Sequence, residues 1–255
     1  MNTEKHIIIS ARGLKKSFGT DDNKQTIFEN LDLDIYRGDF TVIMGSSGAG
    51  KSTLMYSLSG MDRPTAGAVR FAGREITKCS DDQLAVFRRK HCGFVFQQIY
   101  LLEKMSLMDN VLTAGALCKE RRKELIKRAK ELFELVNIPE ITQKKFSSQV
   151  SGGEAQRAGI IRAVINRPEV VFADEPTGAL NSNNSEAVLN VFTQLHNDGQ
   201  SIIMVTHDKR TALRANRVLY IRDGQIFGEC DLGKYDAENS ERETALSSFL
   251  AEMGW

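Results

Sequence analysis

The chain has 255 residues, 41% hydrophobic and 26% charged, which is ample for a packed core as one large domain or a domain with a smaller subdomain. Its formal net charge of +1 gives no strong electrostatic case for nucleic acid as a partner. The four cysteines (Cys79, Cys92, Cys118, Cys230) are scattered without a C-x-x-C pair, so neutral thiols are expected rather than a disulfide framework or a zinc site.

Ile7-Ile8-Ile9 opens a strand that runs from His6 to Leu14. Asp21 to Lys24 is a polar turn. Phe28 to Ile35 alternates apolar and polar residues through Leu31, Leu33 and Ile35, the pattern of a half-exposed antiparallel strand. Phe40 to Met44 is an apolar strand. Leu54, Met55 and Leu58 give the next segment helical spacing, and it stops near Gly60. Asp62 to Gly67 is a turn, Ala68 to Phe71 a short strand, and Ser80 the cap of a helix. Gly93 to Phe96 is a buried strand.

From about Leu101 to Ile141 the chain reads as mostly helical. Leu125, Ile126, Ala129, Leu132, Phe133 and Val136 share one face, with Lys119, Arg121, Arg122, Lys123, Lys127, Arg128 and Lys130 around it. A basic helix suits anionic lipid; the reading taken is the plainer one, a solvated face of a small helical subdomain. A helix then runs from Glu154 to Ile165, a buried strand from Val170 to Ala173, a helix from about Ser185 to His196, and a buried strand from Ser201 to Val205. Val218 to Ile221 and Gln225 to Gly228 form a hairpin around Asp223-Gly224. In the tail, Ser240 to Glu243 matches a capping box, and Ala245, Leu246, Phe249, Leu250 and Met253 make an apolar face expected to dock on its own domain. No apolar run approaches the length that spans a bilayer, and Met1 to His6 lacks the apolar core of a signal peptide, so the chain is expected to stay in the cytosol.

Buried strands alternating with helices define a parallel α/β sheet, which binds ligands at the carboxyl ends of its strands. The notable polar residues stand there. Between the strand Phe40 to Met44 and its helix lies Gly45-Ser46-Ser47-Gly48-Ala49-Gly50-Lys51-Ser52-Thr53, which fits the phosphate-loop pattern G-x-x-x-x-G-K-[ST]. Glycines let the backbone approach a ligand, loop N–H groups and the helix dipole face phosphate oxygens, Lys51 supplies a mobile positive charge, and Ser52 supplies a hydroxyl for Mg²⁺. Asp174, at the end of a strand, suits Mg²⁺, and Glu175 beside it suits a water-polarising base. Their strand is ending, so both can reach the site. His207 follows a strand in the same way and is a candidate contact for the γ-phosphate. Gln97 is either an amide ligand of the metal or water, or an ordinary surface glutamine. Ser151-Gly152-Gly153 at a helix start is a second anion-binding element, which either converges with the first within the chain or meets it across a dimer.

Across nearly its full length the chain resembles the nucleotide-binding subunits of ABC transporters. Gly45 to Ser52 looks like Walker A and Val170 to Glu175 like Walker B with its catalytic glutamate. Val150-Ser151-Gly152-Gly153-Glu154 looks like the signature, Gln97 like the Q-loop glutamine, and His207 like the switch histidine. Phe18 sits where the family places an aromatic against adenine. The resemblance implies a P-loop NTPase core with a mostly parallel sheet, an antiparallel β subdomain and a small helical subdomain. That is one domain over 1–255, with the helical part about 101–165 and a tail helix about 240–253. It implies ATP and Mg²⁺ as ligands, and a head-to-tail homodimer that sandwiches two ATP molecules between Walker A and the partner's signature. It also implies a separate membrane permease, hence a place at the cytoplasmic face of the membrane. Residues 93–98, 148–154 and 173–178 resemble the branch of macrolide-export, lipoprotein-release, cell-division and bacitracin-type resistance ATPases; Gly178-Ala179-Leu180 and Phe249 to Trp255 look most like the peptide-resistance members. A lipoprotein-release or cell-division ATPase, and a soluble ABC ATPase without a membrane partner, are the alternatives. Three positions depart from the family pattern: Val150 replaces leucine, Glu154 replaces glutamine as is common in this branch, and Asn181 replaces the D-loop aspartate.

Overall fold

The structure, a computed structural model, describes residues 6–20 and 23–255. Asp21 and Asp22 of the expected polar turn, and the start of the chain before His6, lie outside the described residues. In chain order the elements are β1 (Ile7–Phe18), β2 (Gln25–Tyr36), β3 (Phe40–Gly45), α1 (Lys51–Ser59), β4 (Ala66–Phe71), β5 (Arg74–Glu75), α2 (Asp81–His91) and β6 (Cys92–Phe96). Then follow α3 (Leu107–Ala116), α4 (Arg122–Leu135), α5 (Glu140–Gln143), α6 (Gly152–Val164), β7 (Val170–Asp174), α7 (Ser182–Asn197), β8 (Ser201–Val205), α8 (Lys209–Ala212), β9 (Arg217–Arg222), β10 (Gln225–Asp231) and α9 (Ser240–Glu252). The chain divides into two compact units, Met1–Ala85 with Gly199–Trp255, and Val86–Asp198. No helix among the described residues is long and apolar enough to cross a membrane.

The first unit holds an antiparallel sheet, β2-β1-β4-β5, and the strands β10-β9-β3-β8 in that order. On β2 the buried residues are Phe28, Leu31, Leu33 and Ile35, the expected half-exposed pattern. β3 is buried at every position and pairs in parallel with both β8 and β9, as a central strand covered on both faces must be. The β9–β10 hairpin turns through Asp223 (φ 50°) and Gly224 (φ 72°), the left-handed pair that a two-residue hairpin loop demands.

The tail helix α9 corrects one expectation. Its cap is Asn239, whose side chain accepts from Glu241 N and Arg242 N; Ser240 is already helical. Asn caps as well as Ser, and it stands one residue earlier. Leu246 and Leu250 are buried and Phe249 and Met253 half-buried, whereas Ala245 is exposed rather than part of the docked face. The buried Arg242 donates to the carbonyls of Leu213, Ala215 and Leu232, which fastens the helix to its own unit.

In the second unit β6 and β7 pair in parallel from Cys92↔Val170 to Phe96↔Asp174. Phe94 stacks on Phe172 with ring centres 5.5 Å apart. Phe133, Ile160, Ile161 and Phe192 are fully buried, and α4 buries Leu125, Ala129, Leu132 and Phe133 as its periodicity requires. Arg128 leaves the solvated set: its guanidinium donates to the carbonyls of Val164 and Ile165 at the end of α6 (3.2 and 2.9 Å). Two helices begin earlier than expected, α6 at Gly152 and α7 at Ser182, because Ser151 and Asn181 are both side-chain caps. No disulfide joins the four cysteines, and Cys79 and Cys92 are buried.

Candidate nucleotide site

In the first unit the phosphate loop is shaped by backbone that only glycine tolerates. At Gly45 (φ 148°) a Cβ would sit 2.2 Å from the carbonyl oxygen of Ile221 on β9, so the strand packs only against a residue with no side chain. Gly50 (φ 88°) is the N-cap of α1, and a Cβ there would press on Ile27 at 2.5 Å. α1 has no side-chain cap and no acidic residue in its first turn, a composition that suits an anionic ligand at its positive end. Lys51 Nζ donates to Gly45 O (2.9 Å) and Ser46 O (2.7 Å), folded back across the loop. Ser46, Ser47 and Gly48 are exposed; Ala49 is buried; Lys51, Ser52 and Thr53 are half-buried.

His207 belongs to the same edge. β8 pairs with β3 through Ile43↔Val205, and Thr206 N donates to Ile43 O (3.3 Å), so Thr206-His207 leaves the sheet beside the start of the loop. Asp208 then caps α8, accepting from Arg210 N and Thr211 N, which holds the turn after His207. Phe18 is exposed at the end of β1, with Lys16 Nζ 4.7 Å from its ring centre. It pairs with Gln25, two residues before the Ile27 that touches Gly50.

In the second unit the register Phe96↔Asp174 sets Gln97 and Glu175 side by side as the residues that follow β6 and β7. Glu175 has φ 45°, a left-handed conformation unusual for a non-glycine residue. That reversal, immediately after Asp174, lets two adjacent carboxylates leave the strand end without the strict alternation of a β-strand. Gly178 N donates to Glu175 O (3.0 Å), and a Cβ on Gly178 would meet Gln97 Nε2 at 3.0 Å. The two strand ends are joined by a residue that sequence reading misses. Gln156 on α6 is 1% exposed, and its Nε2 donates to Phe96 O (3.0 Å) and Pro176 O (2.7 Å). Its only signal is a polar residue on the buried side of a helix that starts at Ser151.

That helix start is a complete capping box. Glu154 N donates to Ser151 Oγ (3.2 Å), while Ser151 N and Ser151 Oγ both donate to Glu154 Oε2 (2.8 Å each). The backbone N–H of Ser151, and then its hydroxyl, hold the Glu154 carboxyl below its ordinary range. Gly153 is forced: a Cβ there would lie 2.4 Å from Asn184 Oδ1 on α7, and one on Gly152 would reach Leu180 at 3.4 Å.

A strand, a glycine loop with a lysine folded over it, and a helix that starts on that loop define a P-loop nucleotide-binding protein. Residues 28–178 match the ABC transporter family, and the chain belongs to it. It is 37% identical over 248 residues to the bacitracin export ATP-binding protein BceA of Halalkalibacterium halodurans, covering 97% of this chain and 96% of that one. It is 40% identical over 222 residues to the macrolide export ATP-binding/permease protein MacB of Aggregatibacter actinomycetemcomitans, covering 87% of this chain but only 34% of that relative. The dimeric post-hydrolysis state of the ATP-binding cassette MJ0796, bound to ADP and Pi, superposes with a TM-score of 0.79 at 32% identity, over 88% of this chain and 98% of that one. The fold is that of the ABC ATPases, the branch is the bacitracin and macrolide one that the motifs resemble, and the chain is an ATPase.

Proposed function

We propose that this chain hydrolyses ATP as a homodimer at the cytoplasmic face of the membrane and drives a separate permease in resistance to, or export of, antimicrobial peptides or drugs. The observation that carries this reading is the end-to-end match to a bacitracin export ATP-binding protein, 97% of one chain on 96% of the other. In the proposal the N–H groups of Gly45 to Thr53 and the Lys51 ammonium hold the phosphates, and Phe18 stacks on the base. Glu175 takes the proton of the attacking water, and His207 donates to the γ-phosphate. Ser151, Gly152, Gly153 and Glu154 of a second copy close over the phosphates, the head-to-tail arrangement that the resemblance to ABC transporter subunits implies.

Mg²⁺ fits the donor set. Ser52 offers a hydroxyl, Asp174 a carboxylate and Gln97 an amide oxygen, all hard oxygens, and the last two stand at paired strand ends. Bound there, Mg²⁺ would neutralise charge on the phosphate oxygens.

Glu175→Gln tests the chemistry. The variant is expected to bind ATP and dimerise while hydrolysis falls by about 10²–10⁴-fold, read by phosphate release beside size-exclusion chromatography. Rapid hydrolysis by this variant would remove Glu175 from the role. Recovery of a polytopic partner from gently solubilised membranes would support the permease; recovery only from the soluble fraction would return the chain to the soluble ABC ATPases.

A further inference from the structure

The second unit carries a basic surface that the nucleotide site does not use. Three segments build it: the end of α2, the loop from α3 into α4, and the turn after α6. Cys118 Sγ lies 3.4 Å from Arg89 O, and Arg167 pairs with Glu120 at 3.7 Å, so the three meet. Between them they bring Arg88, Arg89, Lys90, Lys119, Arg121, Arg122, Lys123 and Arg167 against Glu120, Glu124 and Glu169, in a chain whose total charge is +1. The rest of the molecule is therefore net negative, and positive charge is gathered at one place. Two of the three acids are already engaged, Glu120 by Arg167 and Glu169 by His91 (2.7 Å).

Local stability does not explain the gathering. At the end of α2 the cations favour the helix dipole. At the start of α4 they oppose it: Arg121 is the N-cap without a side-chain bond, and Arg122 and Lys123 follow at the positive end of the helix, where a single first-turn acid, Glu124, stands against them. Lys119 adopts φ 61°, a conformation suited to glycine. Sequence choices that work against their own element mark a function elsewhere. The same surface exposes two aliphatic side chains, Leu117 (55% exposed) at the end of α3 and Val86 (44%) one turn before Lys90. Cations around exposed aliphatic residues match a headgroup layer in charge and a shallow acyl boundary in polarity.

We propose that this surface binds the anionic phospholipid bilayer directly, independently of any permease. The outline of Lys119 to Lys123 with Leu117 commits the occupant to a charged layer with an apolar interior.

The test is co-sedimentation of the full chain with vesicles of phosphatidylcholine alone and of phosphatidylcholine mixed equally with phosphatidylglycerol. Binding is expected to the mixed vesicles only, and to fade at high salt. Each of Lys119→Gln, Arg121→Gln, Arg122→Gln and Lys123→Gln should weaken it about fivefold, and Leu117→Ser should weaken it further. Because the four cations oppose or strain their own element, the combined variant should keep its ATPase rate and melt no lower than the parent. A merely structural role would lower the melting temperature. Equal binding to both vesicle types, undiminished binding by the combined variant, or capture of transfer RNA with the vesicles left unbound would each overturn the proposal.

Discussion

The two helix starts that the proposed function gives to phosphate, those of α1 and α6, are built in opposite ways. α1 begins on a glycine with no side-chain cap and no acid in its first turn. Its Lys51 donates to the loop's own carbonyls, Gly45 O and Ser46 O. α6 begins on Ser151 with every capping bond made, and it carries a carboxylate on the very atoms that a phosphate would approach. The first start carries no acid of its own in its first turn. The second already holds the Glu154 carboxylate on Ser151 N and Oγ, so an incoming anion meets a resident negative charge there. In the proposed dimer that difference orders events: nucleotide settles on the phosphate loop first, and the signature closes once the incoming phosphate outcompetes the resident carboxylate.

The largest test breaks the first half of the comparison. If the α1 cradle is made by backbone, its glycines are not interchangeable. Gly45→Val should cost about 4 kcal/mol or more, since a Cβ would stand 2.2 Å from Ile221 O. Gly48→Ala should cost only about 1–2 kcal/mol, for φ 80° alone, because nothing lies within 4 Å of its Cβ. Urea melts beside nucleotide affinity separate the two. Equal losses would mean that strand packing against β9 does not shape the loop.

How much of this could be read from the sequence differs between the same two regions. The phosphate loop was legible because its signals are local: glycines at required spacings, an apolar strand before them and a helical pattern after. The Asp223-Gly224 hairpin was legible for the same reason. The strand-end cluster was legible in its residues but not in its geometry. Nothing in the sequence announces that Glu175 takes φ 45°; the proline after it argues for extended backbone instead, and tertiary context wins. Gln156 was missed because its role is to join two carbonyls 60 and 20 residues away in the chain, a contact that no periodicity encodes. The tail shows a smaller failure. A capping-box pattern starting at Ser240 was outcompeted by Asn239, and only the folded backbone decides between two good caps in succession.

Glu154→Gln sharpens the second half of the comparison. Gln keeps an oxygen to accept from Ser151 and removes the charge. At neutral pH the fold should weaken by less than about 1 kcal/mol. ATP-driven dimerisation should need several-fold less ATP, because the incoming phosphate no longer meets a resident negative charge. The pH dependence has a definite sign. The folded-state pKa of Glu154 lies below its ordinary value, so its contribution is fully present above the unfolded pKa. As pH falls the unfolded chain takes up the proton first, and the advantage of the parent over the variant disappears through the folded value. Urea midpoints of both proteins across the acid range would show the curves converging. Parallel curves, or an unchanged ATP requirement, would free Glu154 from the role given to it.

The smallest effect concerns a third helix start, at α7. Asn181 stands where the family carries aspartate, and its side chain accepts from Asn184 N at 3.0 Å. Asn184 is the residue whose Oδ1 lies against Gly153, so this cap sits one contact from the signature. Asp and Asn cap equally well, and Asn181→Asp changes only the charge at the positive end of α7. A gain in stability of about 0.3–1 kcal/mol is expected from the helix dipole. If the negative charge also helps communication toward the signature, the ATPase rate of the variant should rise, by less than tenfold. Equal rates would show that the neutral cap costs this enzyme nothing. The α7 start would then be a purely structural support for Gly153, and the contrast between α1 and α6 would account for the chemistry without it.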